Sequence, residues 1–183
     1  MLAKLLLRPI VRWRLARFER RWRYDMGYAR ELFELSPQAF LQFSKFFGLA
    51  AFAQDLPPAL LYAAKFAATR HEDCGPCSQL MLDMALAAGV PRADLQALVA
   101  EDEGAMPAEL RLGWRFAQAA LAHQPELAEL HAELHAEVLR LHGPRALASL
   151  ALAVVVARSF PAIKQALGQG RSCISRPEVR ACA

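Results

Sequence analysis

Apolar positions recur at helical spacing along most of the chain. After Pro9, the residues Val11, Leu15, Phe18 and Trp22 fall at i, i+4, i+7 and i+11, which is one face of a helix. Ser36 followed by Pro37 has the form of an N-cap with proline at the first helical position, and predicts a helix running towards Phe52. The segment Gln54 to Pro58 breaks the pattern, and Pro57-Pro58 can open the next helix, to about Arg70. Its residues Leu60, Leu61, Ala63, Ala64, Phe66 and Ala67 make it apolar on most sides, as expected of a central helix. Asp73 is placed to cap a helix through Leu80, Met84 and Ala87 that stops at Gly89, before Pro91. A short helix over 92–100 follows, then the acidic loop Glu101 to Gly104. Helices near 107–122, 126–141 and 144–166 come next, separated by Pro125 and Gly143-Pro144 and stopped at Gly168. From Gln169 onward no periodicity is visible, and a mobile tail is expected.

The composition agrees with an all-α fold. Ala and Leu, both strong helix formers, supply much of the 55% hydrophobic content, and the β-branched run Val154 to Val156 lies within an Ala/Leu stretch. A chain of 183 residues can bury a core without metals or disulfides. The net charge is +4, but residues 1–24 hold eight Lys or Arg against Glu19, a local +7, so the remaining 159 residues carry −3. The basic character therefore belongs to the N-terminus. No nucleic-acid fold signature accompanies the arginines, which argues against a nucleic-acid partner. The apolar stripe of that segment suits docking on its own domain or a neighbouring subunit. Its second use is peripheral contact with an anionic membrane. The longest uncharged apolar run, Ala146 to Ala157, falls short of the ~20 residues that cross a bilayer and reads as a core helix. Leu5-Leu6-Leu7 is too short for a signal peptide, and the cysteine pattern is not a secreted disulfide framework. A cytoplasmic protein, with membrane association as the alternative, is expected.

Of the cysteines at 74, 77, 173 and 182, the first two form Cys74-Gly75-Pro76-Cys77. Cysteines at i and i+3 share one side of a helix. The first, at the helix start, lies over unpaired N–H groups that favour thiolate. Cys74 is then the expected attacking sulfur and Cys77 the resolving one, a mechanism for thiol–disulfide exchange. Zinc would need a second ligand pair, and the thioredoxin fold would need a β-strand before the motif where this chain has an apolar helix. Inert core cysteines are the remaining alternative.

The stretch Lys65 to Val90, in which an apolar helix leads into CGPC and the next helix ends in Ala-Ala-Gly-Val, resembles the core motif of the alkylhydroperoxidase D / carboxymuconolactone decarboxylase superfamily. The likeness covers roughly residues 50–168, through a helix like Leu112 to Ala120 and a final apolar helix ending near Gly168. Residues 1–49 then form an added basic, helical region and 169–183 the tail. The resemblance implies an alkylhydroperoxidase D-like helical bundle, homotrimers or hexamers, and peroxide reduction or disulfide exchange with a thiol or disulfide electron donor. It also implies a Glu and a His relaying protons to the thiols. The two cysteines carry over as Cys74 and Cys77, but Tyr62 stands where Glu is expected and Met81 where His is expected, and methionine cannot move protons. His71 and Glu72, just before the motif, are the candidate substitutes.

His131, His135 and His142 share a flank of the 126–141 helix. His131 and His135 have metal-pair spacing, but a boundary stripe is the plainer account. No metal or other cofactor is expected. Phe40, Phe43, Phe46, Phe47 and Phe52 suit a core or a subunit contact, with an apolar small-molecule substrate pocket as the other use. The function expected is a thiol–disulfide oxidoreductase or peroxidase-like protein. The alternatives are a non-thiol carboxymuconolactone decarboxylase-like enzyme and a non-catalytic oligomeric scaffold.

Overall fold

In a computed structural model, residues 2–122, 124–170 and 177–179 are described, residues 2–6 by backbone alone. The fold is all-α, with no strand among the described residues. The helices are α1 (Leu2–Trp22), α2 (Gly27–Leu35), α3 (Pro37–Phe43), α4 (Lys45–Ala51), α5 (Pro58–His71), α6 (Gly75–Ala87), α7 (Arg92–Ala100), α8 (Ala108–Ala122) and α9 (Ala128–Ala166), with a 3-10 turn over Pro125–Leu127.

The apolar helix foreseen after Pro57 is the centre of the bundle. From Ala63 to Thr69 every residue of α5 is buried, and α8, α6 and α9 pack around it. Helix α8 approaches closely at Gly113, where a Cβ would lie 2.2 Å from the Leu60 carbonyl oxygen, so only glycine fits. Gly143, at φ 82°, bends α9 into the two limbs expected from Gly143-Pro144. The second limb buries Ala146, Leu150, Ala153, Val154 and Ala157, whereas Leu152 and Val155 face outward. Among the described residues, the segment Pro125–Ala166 is the one long and apolar enough to cross a membrane, and its most apolar window is 44% buried inside the bundle.

A second apolar cluster forms where the N-terminal helices meet the start of α6. Val11 and Leu15 are buried and Phe18 and Trp22 pack beside them, together with Tyr24, Met26, Tyr28 and both motif cysteines. The stripe on α1 thus docks on its own chain, leaving Ile10 and Trp13 outward.

Three local expectations are corrected. Helix α1 begins well before Pro9 and runs through it. The helix foreseen from Pro37 to Phe52 divides at Ser44, whose hydroxyl donates to the Leu41 carbonyl at 2.8 Å in competition with the backbone ladder. Asp73 does not cap α6. It takes a left-handed conformation (φ 49°), and Cys74 stands at the N-cap.

Helix α2 has no counterpart in the sequence reading. Its face of Tyr28, Ala29, Leu32 and Phe33 is buried. Glu19, the lone acid of the basic segment, accepts from the Met26 backbone N–H at 2.9 Å and pairs with Arg30, holding α2 against the end of α1.

Candidate functional site: a buried dithiol beside an apolar cavity

The turn between α5 and α6 sets the position of the dithiol. The Cys74 N–H donates to the Thr69 carbonyl at 3.2 Å, and Ser78 Oγ lies 3.1 Å from both the Cys74 carbonyl and Thr69 Oγ1. All three side chains are buried, which fixes the entry into α6 against the last turn of α5. Gly75 and Pro76 occupy the first two helical positions, where backbone donors have no partner within the helix, and Cys77 completes the first turn. Both cysteine side chains are buried.

The two sulfurs differ in what they face. Cys77 lines a cavity of about 320 Å³, whereas Cys74 is not among its lining residues. The Tyr24 hydroxyl lies 3.3 Å from Cys77 Sγ, and Lys164 Nζ lies 3.8 Å from the same atom. Lys164 is only 3% exposed and sits against aromatic faces, 4.3 Å from the Tyr24 ring centroid and 5.3 Å from that of Tyr28. Burial, and then negative charge on Cys77, push the Tyr24 hydroxyl well above its ordinary value. Tyr28 is likewise raised, first by burial and then by charge on Cys77. Both phenols therefore stay protonated, and Tyr24 has a hydrogen to donate to a Cys77 thiolate. A buried ammonium and a phenol O–H on one sulfur favour its anionic form.

These contacts come from opposite ends of the chain. Tyr24 enters because Arg23 turns left-handed (φ 50°) after α1. Lys164 comes from the last turn of α9, and Gln169, just beyond it, hydrogen-bonds Glu31 of α2.

The rest of the cavity is mainly aromatic and aliphatic, with Phe18, Trp22, Phe47, Met84 and Phe160 prominent. Phe47 stacks on Phe160, with centroids 5.6 Å apart. Of the phenylalanines singled out in the sequence, Phe40 is buried core, Phe47 lines the cavity, and Phe43 bridges Phe46, Phe47 and Phe160. Tyr62 and Met81, at the positions expected to hold the relay Glu and His, both line the cavity. Burial raises the Tyr62 hydroxyl. Lys65 also lines it, 7% exposed, with Nζ 2.7 Å from the Ala50 carbonyl and 5.3 Å from the Tyr62 ring centroid. Burial lowers the Lys65 ammonium to about 8.

The proposed relay substitutes point elsewhere. His71 is exposed at the end of α5. Glu72 accepts from Arg158 at 2.5 Å and lines a separate, more open cleft with His131 and His135, away from the Cys77 cavity. His131 packs on the Phe116 ring, and His142 Nε2 stands 3.1 Å from Glu109 Oε2. Among the described residues no three His, Cys, Asp or Glu side chains gather as a metal site. Cys173 and Cys182 lie outside the described residues. Part of the C-terminal segment is in place: Glu178 exchanges two backbone bonds with the Gln79 amide, at 2.8 and 2.9 Å, and Val179 packs on the core.

Sequence reasoning missed Tyr24, Lys65 and Lys164. The signal for the lysines was present, since each is a lone cation within an apolar stretch of helix, at Leu60 to Ala68 and at Phe160 to Leu167. Tyr24 lies in a turn, where periodicity carries no information. Comparison of the chain with protein-family models, with curated proteins and with solved structures gave no match.

Proposed function

We propose that the protein is a dithiol oxidoreductase in which Cys77 attacks and Cys74 resolves, the reverse of the order expected from helix position alone. The observation that carries this is the surrounding of Cys77: open to the cavity, with the Tyr24 hydroxyl at 3.3 Å and the Lys164 ammonium at 3.8 Å. In the first step the Cys77 thiolate attacks one sulfur of a substrate disulfide, forming a mixed disulfide and expelling the other sulfur as thiolate. Cys74 then attacks Cys77 Sγ, closes the Cys74–Cys77 disulfide and releases the second substrate thiolate. Two electrons pass from the dithiol to the substrate, and a thiol donor must return them. With an organic hydroperoxide as acceptor, Cys77 becomes a sulfenic acid as the alcohol leaves, and Cys74 displaces water from it.

The resemblance to alkylhydroperoxidase D supports the same chemistry, with Tyr24 and Lys164 in place of the relay carried by Glu and His. Lys164 supplies charge stabilisation and Tyr24 a hydrogen bond. Self-association belongs to this reading, supported by the outward Leu152 and Val155 on α9.

Single-turnover reaction of the reduced protein with a chromogenic aromatic disulfide, in a background with Cys173→Ser and Cys182→Ser, tests the order of attack. Cys77→Ser should abolish the release of thiolate. Cys74→Ser should still release one equivalent and leave a mixed disulfide on Cys77, detectable by mass. A mixed disulfide trapped on Cys74 in the Cys77→Ser protein would reverse the assignment.

A further inference from the structure

The dithiol accounts for Lys164 and Tyr24 but leaves Lys65 without a task. A lysine 7% exposed, in a helix apolar on most sides, is costly unless its charge meets a partner. Its Nζ has one hydrogen-bond acceptor, the Ala50 carbonyl, and no carboxylate bonds it among the described residues. The Tyr62 ring at 5.3 Å supports the positive charge weakly. The ammonium carries three donors, so two are left for something else in the cavity that Lys65 lines.

The remaining wall sets the character of that partner. Phe18, Trp22, Phe47, Met81, Met84 and Phe160 give a surface suited to an alkyl or aryl body. A volume of about 320 Å³, at about 30 Å³ for each water-sized group, has room for about ten non-hydrogen atoms. Ala51, on the lining and exposed, lies at the rim. A buried cation at one place on the lining of an apolar chamber is the arrangement that recognises an amphiphilic anion.

We infer that this cavity binds a small apolar carboxylic acid, its carboxylate paired with Lys65 Nζ and its hydrocarbon body against the aromatic wall beside Cys77. This rests on the dithiol reading only for the consequence that bound acid lies next to a reactive sulfur; the binding itself needs no redox step. The titratable groups around the cavity are Tyr62 on the same helix as Lys65, Tyr24 and Tyr28 from the N-terminal segments, Cys77 of α6 and Lys164 of α9 behind it. From α4 the contact to Lys65 is the Ala50 carbonyl. The three tyrosines are all raised and stay neutral, so Lys65, lowered to about 8, is the group whose charge change would release a carboxylate in mild alkali.

The test is calorimetric titration of the reduced full chain with octanoate and, separately, with 1-octanol. Octanoate should bind saturably at pH 7, and at least tenfold more weakly to Lys65→Met. Its affinity for the wild type should fall at least tenfold between pH 7 and pH 9.5, and most of that pH dependence should vanish in Lys65→Met. Octanol should bind both proteins alike, which also reports that the substituted cavity is intact. Absence of saturable octanoate binding, or equal octanoate affinity in the wild type and Lys65→Met, would overturn the inference. Either result would leave the disulfide-trapping experiment on Cys77 unaffected.

Discussion

Lys164→Met removes the buried ammonium next to Cys77 while keeping a side chain of similar length. At 3.8 Å and an effective dielectric of about 20, the attraction between ammonium and thiolate is about 4 kcal/mol. At 1.4 kcal/mol per tenfold change, that corresponds to a thiolate population lower by up to about a thousandfold. A more basic thiolate is also the better nucleophile, with a Brønsted slope of about 0.4–0.5, and this returns roughly half of the loss on a logarithmic scale. The expected net effect is alkylation of Cys77 slowed by roughly tenfold to a hundredfold at pH 7. The assay is the second-order rate of iodoacetamide labelling in a Cys74→Ser background, with peptide mass analysis separating Cys77 from Cys173 and Cys182. Raising the pH should restore the rate as the thiolate forms without its cation. A labelling rate within twofold of the parent at pH 7, in a variant with unchanged helicity, would refute the coupling of Lys164 to the sulfur and with it the main support for Cys77 as nucleophile.

Tyr24→Phe removes one hydrogen bond to a charged acceptor, about 1.5–3 kcal/mol, and should slow the same labelling in the same direction but less than Lys164→Met. His71→Ala and Glu72→Gln should leave Cys77 labelling within twofold, since His71 is exposed and Glu72 is held by Arg158. A larger change in either would reinstate the relay expected from sequence. Lys65 is held at about 8 when folded and returns to 10.5 when unfolded. The unfolded chain therefore binds more protons between these values, and stability rises as pH increases from 8 to 10.5. Below pH 8 both states are protonated and the burial penalty, about 3 kcal/mol at most, is constant. Urea titrations at pH 7 and pH 10 should show this rise in the wild type and a flatter profile in Lys65→Met. Gly113→Ala places a Cβ against the Leu60 carbonyl and should lower the melting temperature by roughly 5 °C or more; an unchanged melt would mean that α5 and α8 can separate freely.

The central helix, the break at Gly143 and the CGPC motif at a helix start were all legible, because each is written in local spacing or in residues with restricted backbones. Ser44 was not, since one side-chain hydroxyl bonded to a backbone carbonyl decided whether two short helices read as one. Asp73 looked like a cap by residue type, yet the hydrogen bond from Cys74 N–H to the Thr69 carbonyl shifted the helix start by one residue. The motif cysteines could be found locally. Their partners could not, because a tyrosine in a turn after α1 and a lysine near the end of α9 meet only once the bundle has closed.

That pairing of distant ends has a consequence during synthesis. Residues 74–77 leave the ribosome well before Lys164 has been translated, so the emerging thiols are ordinary cysteines with no buried cation beside them. The contact of Lys164 with Cys77 and with the rings of Tyr24 and Tyr28 forms only when α9 seats against α2 and the start of α6. On the proposed reading, the chain would gain its reactive sulfur late in folding, and a truncated or half-folded copy would carry the motif without that chemistry.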